Sequence, residues 1–141
     1  MQVLKRTIFI LINCTWGIGA TLIGLIVFLI NIKKPHKIYR CAIDTRWNKR
    51  AGLSLGLFTF TPGESIDSSQ PIRVHEYGHC IQNMVLGPFM IFIGAVSLLW
   101  ANLPCFVILR RTKNIPYTKC FVESWASRWG EKVTKEKAIW N

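Results

Sequence analysis

Residues 71–88 read PIRVHEYGHCIQNMVLGP, and the rest of the chain is best understood outward from them. Pro71 suits a first helical turn, where its missing N–H costs nothing, and Ser68 or Ser69 can cap. Gly87-Pro88 supplies the stop, so the spacing predicts a helix over residues 71–86. Within it His75 and His79 stand four apart, one turn above each other on one face, where both imidazoles can meet one ion. Glu76 lies about 100° further round, within reach of a water at that ion but not itself a ligand. The HExxH pattern therefore points to Zn2+ held by His75 and His79, with Glu76 as the base that takes a proton from the attacking water. Tyr77 faces another side and is read as packing.

Two histidines under-coordinate zinc, which usually takes three protein ligands and a water in a catalytic site. The candidates for the third are His36, Asp44, Asp67, Glu123, Glu131 and Glu136. Glu123 is the best placed. It falls in a predicted last helix, residues 118–128 with Gly130 as the stop, where Ala126 on the same side leaves room for the motif helix. Phe121, Trp125 and Trp129 follow helical spacing and are expected to anchor another side in apolar surroundings. Glu131 and Glu136 sit among lysines and read as solvated charges on a solvated or interfacial helix, residues 131–141.

Upstream, residues 7–32 read TIFILINCTWGIGATLIGLIVFLINI, with no charge and more than the roughly 20 apolar residues that a bilayer-spanning helix needs. The run outlasts the apolar core of a secretory signal, about 7–15 residues, and lacks its cleavage site, so a membrane span is expected. The net charge of +11 is concentrated after it, in Lys33, Lys34, Lys37, Arg40, Arg46, Lys49 and Arg50. That bias places the N-terminus outside and this flank in the cytoplasm, against anionic headgroups. No nucleic-acid motif accompanies the charge, so nucleic acid is not expected as a partner.

Between span and motif helix, residues 37–47 and 53–61 have strand composition, and 48–52 suit a hairpin loop. Within the second run, residues 53–60 are a candidate edge strand for aligning an extended peptide, with Gly56 permitting close approach. Residues 62–70 read as loop. Downstream, residues 87–109 are long enough to cross a bilayer once, but Asn102 and Pro104 interrupt them. If Glu123 shares an ion with His75 and His79, the stretch cannot carry Glu123 to the opposite compartment. Arg110, Arg111, Lys113 and Lys119 follow it and favour the cytoplasm as well, so a re-entrant or interfacial hairpin bent near 102–104 is expected. The five cysteines have no CxxC spacing and read mostly as buried small hydrophobes.

Taken in order, HEYGHCIQ (75–82), Leu86-Gly87-Pro88, an apolar segment ending Trp100-Ala101, and Glu123-Ser124-Trp125-Ala126 resemble a group of small bacterial membrane proteins with gluzincin-type motifs. Leu53-Ser54-Leu55-Gly56 extends the likeness, which covers roughly residues 52–130. The resemblance implies His75, His79 and Glu123 as zinc ligands, Glu76 as base and a bacterial inner-membrane location. The chain departs from larger gluzincins in lacking their Asn-Glu-xxx-Ser-Asp motif and its aspartate.

The reading is an α+β, mainly helical membrane protein. Residues 1–32 form an N-terminal transmembrane helix. Residues 33–141 form a minimal zincin-like domain with a short β-hairpin, the HExxH helix, the membrane-embedded or interfacial segment 87–109 and a C-terminal ligand helix. The expected activity is zinc-dependent hydrolysis of peptide bonds in peptides or membrane proteins, with the active site at the cytoplasmic face. The alternatives are a non-catalytic membrane module that binds a metal or a partner, and a basic protein of membrane surfaces or nucleic acid.

Overall fold

A computed structural model of the chain describes residues 2–63 and 70–140. It is mostly helical with one small sheet, an α+β arrangement. The apolar N-terminal run is not one straight helix. It forms α1 (Gln2–Thr15) and α2 (Ile18–Ile30), bent by 95° at the intervening break, as in a broken span or a re-entrant loop. Polar side chains inside the run explain the bend. Asn13 is fully buried and accepts from Asn83 Nδ2 at 2.6 Å, while Thr21 donates to the Asn13 carbonyl at 2.8 Å. A buried amide without partners is costly, so the chain folds back to satisfy it. Trp16 is tied across the bend by its indole N–H to the Val85 carbonyl at 3.3 Å.

The expected single hairpin is two hairpins. Strands β1 (His36–Tyr39) and β2 (Ala42–Trp47) pair antiparallel, as do β3 (Leu53–Leu55) and β4 (Phe58–Pro62). The sheet order is β1-β2-β4-β3, with β2 and β4 parallel. Residues 48–52 are therefore a crossover rather than a hairpin turn. Gly56 turns the chain between β3 and β4 at φ +63°, which splits the predicted strand in two and leaves β3 as the edge.

Helix α3 (Gln70–Leu86) matches the expected motif helix; the predicted caps Ser68 and Ser69, and Asp67, lie outside the described residues. Tyr77 is buried and stacked on Phe9 at 5.7 Å, so it packs as expected. Gly87, at φ +53°, then turns the chain through a short 3-10 segment into α4 (Met90–Asn102). By length and composition the stretch Gln70–Asn102 is long and apolar enough to cross a membrane. It is not straight, however. A straight helix would hold His75 and Ser97 about 33 Å apart, whereas Ser97 hydrogen-bonds to Glu123, which also touches His75. Helix α4 therefore folds back along the site. The break foreseen at 102–104 is present: Leu103 is extended, and α5 (Pro104–Thr112) returns against α4, with Trp100 on Phe106 at 5.3 Å.

The last helix, α6 (Phe121–Thr134), does not stop at Gly130. Gly130 is interior to it, at a point where a Cβ would strike the Val74 backbone; Lys135, at φ +63°, ends the helix instead. Phe121 is exposed rather than anchored, while Trp125 and Trp129 are half-buried against each other. Residues 135–140 are not a helix but a strap across the domain. Glu136 pairs with Arg40 at 2.6 Å and accepts from the Tyr39 hydroxyl at 3.0 Å, and Glu131 accepts from Ala138 N and Trp140 Nε1. Neither glutamate is a merely solvated charge. Of the five cysteines, all of them free thiols, only Cys80 is buried.

Candidate metal centre

The site lies where α3 and α6 come closest. A Cβ on Gly78 would run into the Ala126 backbone, so glycine and alanine permit the approach that brings Glu123 to the motif helix. His75 Nε2 stands 3.0 Å and His79 Nε2 3.3 Å from the same oxygen, Glu123 Oε2. The two imidazoles are nearly perpendicular, with centroids 4.8 Å apart. Glu123 is 1 % exposed and His75 5 %. Among the described residues this is the one cluster of His, Cys, Asp and Glu side chains able to hold a metal ion.

The hydrogen bonds behind the cluster decide what the three groups present to it. Ser127 Oγ donates to the Ile139 carbonyl at 3.1 Å, so toward His75 Nδ1, 2.8 Å away, it acts as acceptor. Gln82 Nε2 donates to the Val122 carbonyl at 3.0 Å, so its Oε1 accepts from His79 Nδ1 at 2.7 Å. Both rings thus carry hydrogen on Nδ1, an assignment made from the hydrogen-bond network. Each Nε2 hydrogen-bonds the same oxygen, Glu123 Oε2. A cation taking the place of those hydrogens would find both Nε2 atoms and Glu123 Oε2 directed at one point, which is a donor set for a metal ion.

Ligands of a tetrahedral ion bound at about 2.0–2.2 Å lie roughly 3.3–3.6 Å from one another; the two histidine–carboxylate distances, 3.0 and 3.3 Å, are close to this, and all three ligand atoms lie within 4.8 Å of one another. Glu123 is itself prepared for the role: burial pushes its carboxyl pKa up, but hydrogen bonds from His75 and His79 outweigh this and hold it well below the usual carboxylate range. Its other oxygen accepts from Ser97 on α4. Burial and the nearby Glu123 charge push the Tyr117 hydroxyl up, keeping it neutral.

Comparisons with family models, with curated proteins and with solved structures find no match. The donor set and its hydrogen bonds therefore carry the functional reading.

Glu76 is 6 % exposed and within electrostatic reach of His75, His79 and Glu123. Its carboxylate lies against Gly52, at a position where any Cβ would clash, so the approach to β3 bounds one side of the site. Among the other third-ligand candidates, His36, on β1, meets Phe28 edge-to-face at 5.3 Å. Asp44 is fully buried elsewhere, accepting from Arg73 Nε at 2.8 Å and from the Thr59 and Thr61 hydroxyls at 3.1 and 2.9 Å. Through Arg73, two residues before His75, Asp44 fixes α3 to the sheet. Sequence reasoning missed Gln82, Ser97 and Ser127. Gln82, three residues after His79, and Ser127, four after Glu123, stand at helical spacing from candidate ligands and were findable; Ser97 is brought in only by the turn at Gly87.

Proposed function

We propose that the chain is a membrane-bound zinc-dependent peptidase, with His75, His79 and Glu123 as ligands and Glu76 as general base. The observation that carries this reading is the convergence of two imidazole nitrogens and one carboxylate oxygen beside Glu76. Zinc is favoured over other ions because the set is nitrogen-rich with one carboxylate. When bound, zinc supplies the Lewis acidity that makes water nucleophilic at neutral pH. Glu76 accepts the proton from the attacking water and returns it to the leaving amine, and its burial shields that exchange from bulk solvent. The likeness to small gluzincin-type membrane proteins is part of this proposal and agrees with the ligand set.

A membrane location is supported by the apolar surfaces of α1, α2 and α4, where Leu11, Ile23, Ile26, Ile91, Phe92 and Leu98 are each more than half exposed. The basic residues after α2 favour a cytoplasmic site with the N-terminus outside. Substrates are peptides or membrane-protein segments near the bilayer surface.

One observation favours a second reading, a metal-holding membrane module without hydrolytic activity: His75 and Glu76 are both nearly sealed from solvent. Glu76→Gln separates the two. It keeps size and shape but cannot take the proton, so it should retain zinc and lose peptide hydrolysis by about 100-fold or more. Equal hydrolysis by wild type and Glu76→Gln would overturn the assignment of the base. Absence of hydrolysis in a zinc-loaded wild type, across a peptide library, would favour the module.

A further inference from the structure

We infer that the strap, residues 135–140, is a working part of the metal centre: the Ile139 carbonyl orients the Ser127 hydroxyl, which in turn keeps hydrogen on His75 Nδ1 and leaves Nε2 to the ion. The inference rests on the metal-binding part of the proposed function, not on its hydrolytic part.

The relay follows from donor and acceptor chemistry. A carbonyl can only accept, so its 3.1 Å contact with Ser127 Oγ consumes the single hydroxyl hydrogen. Ser127 is fully buried. It then faces His75 Nδ1, 2.8 Å away, with lone pairs only. Without the Ile139 carbonyl the hydroxyl could rotate and donate to an unprotonated Nδ1. His75 would then carry its hydrogen on Nε2, pointing at the ion instead of binding it.

The strap is held where the relay needs it by contacts remote from the metal site. Ile139 N donates to the Pro71 carbonyl at 3.1 Å, in the first turn of α3. Glu131 Oε1 accepts from both Ala138 N at 3.0 Å and Trp140 Nε1 at 2.9 Å, gripping the residues on either side of Ile139. Ala138 is buried beneath. Glu131 is thus a positioning residue: it acts on the ion only through the strap and Ser127.

The test measures zinc affinity by chelator competition, and the visible d–d spectrum of the cobalt-loaded protein, in wild type, Ser127→Ala, Glu131→Ala and the double variant. Ser127→Ala should weaken zinc by about 10–100-fold, the usual cost of losing the group that orients a ligating histidine. Glu131→Ala should weaken it in the same direction and alter the cobalt bands, while adding nothing on the Ser127→Ala background, because both act through one path. A Glu131→Ala protein with wild-type affinity and spectrum would overturn the inference, as would fully additive losses in the double variant. Wild type that binds no zinc would overturn it together with the metal reading. Wild type that binds zinc but cleaves nothing, with the variants behaving as described, would uphold the relay and count only against hydrolysis.

Discussion

Between α3 and α6 the chain seals His75, Glu76, Gln82, Glu123 and Ser127 from solvent. On α4, which lies along that same site, it buries nothing and exposes Ile91, Phe92, Leu98 and Leu99. This reverses the usual distribution, in which charged groups sit outside and large aliphatic groups inside. The two halves of the inversion have separate physical reasons. Polar groups stay buried only when each has a partner, and here the partners form chains that end on backbone carbonyls, as from His75 through Ser127 to Ile139 and from His79 through Gln82 to Val122. An exposed apolar helix is stable only where its surroundings are apolar too. Ser97 joins the halves, because it sits on the apolar helix and hydrogen-bonds the buried Glu123.

The sharpest way to break the polar half is at Asp44. Asp44→Asn removes the carboxylate that Arg46 and Arg73 share. Removing that charge from between two buried guanidinium groups should cost about 3–5 kcal/mol, visible as a large drop in the denaturation midpoint in detergent; a loss below about 1 kcal/mol would mean that Asp44 does not hold α3 to the sheet. Next in size is Gly78→Val, which forces α3 from α6 at Ala126. Overpacking there should cost about 1–3 kcal/mol and lower zinc affinity as well, since the same approach sets the distance from Glu123 to the histidines. Unchanged zinc affinity in a folded Gly78→Val protein would separate the helix contact from the site. The apolar half is probed by Ile91→Gln with Phe92→Gln. These exposed positions should leave zinc binding intact but weaken partitioning into lipid vesicles, by up to about 1.5–3 kcal/mol for each side chain that was fully lipid-buried. Unaltered flotation with vesicles would show that α4 is not in contact with lipid.

How far the sequence foretold this arrangement depended on the range of the interactions involved. The motif helix, the pairing of Glu123 with His75 and His79, and the break at Leu103 were legible, because helix stops and i, i+4 spacing are local signals. The parallel pairing of β2 with β4 was not, since no local pattern distinguishes a crossover at residues 48–52 from a hairpin loop of the same length. The bend between α1 and α2 was masked by the apolarity of residues 7–32, although Asn13 and Thr21 are the side chains that stabilise it. Gly130 was read as a helix stop when its real use is close packing against Val74, and the same residue type serves both purposes. Glu131 and Glu136 read as solvated because their partners, Trp140 and Arg40, become neighbours only once the strap is in place.

The central claim is that the buried polar cluster exists to hold an ion. Elemental analysis of the purified full chain in detergent, wild type beside His79→Ala, tests it most directly, with circular dichroism as a control for folding. The account predicts about one zinc per wild-type chain and little or none in a folded His79→Ala protein. Equal zinc in both proteins, or none in a folded wild type supplied with zinc, would contradict it.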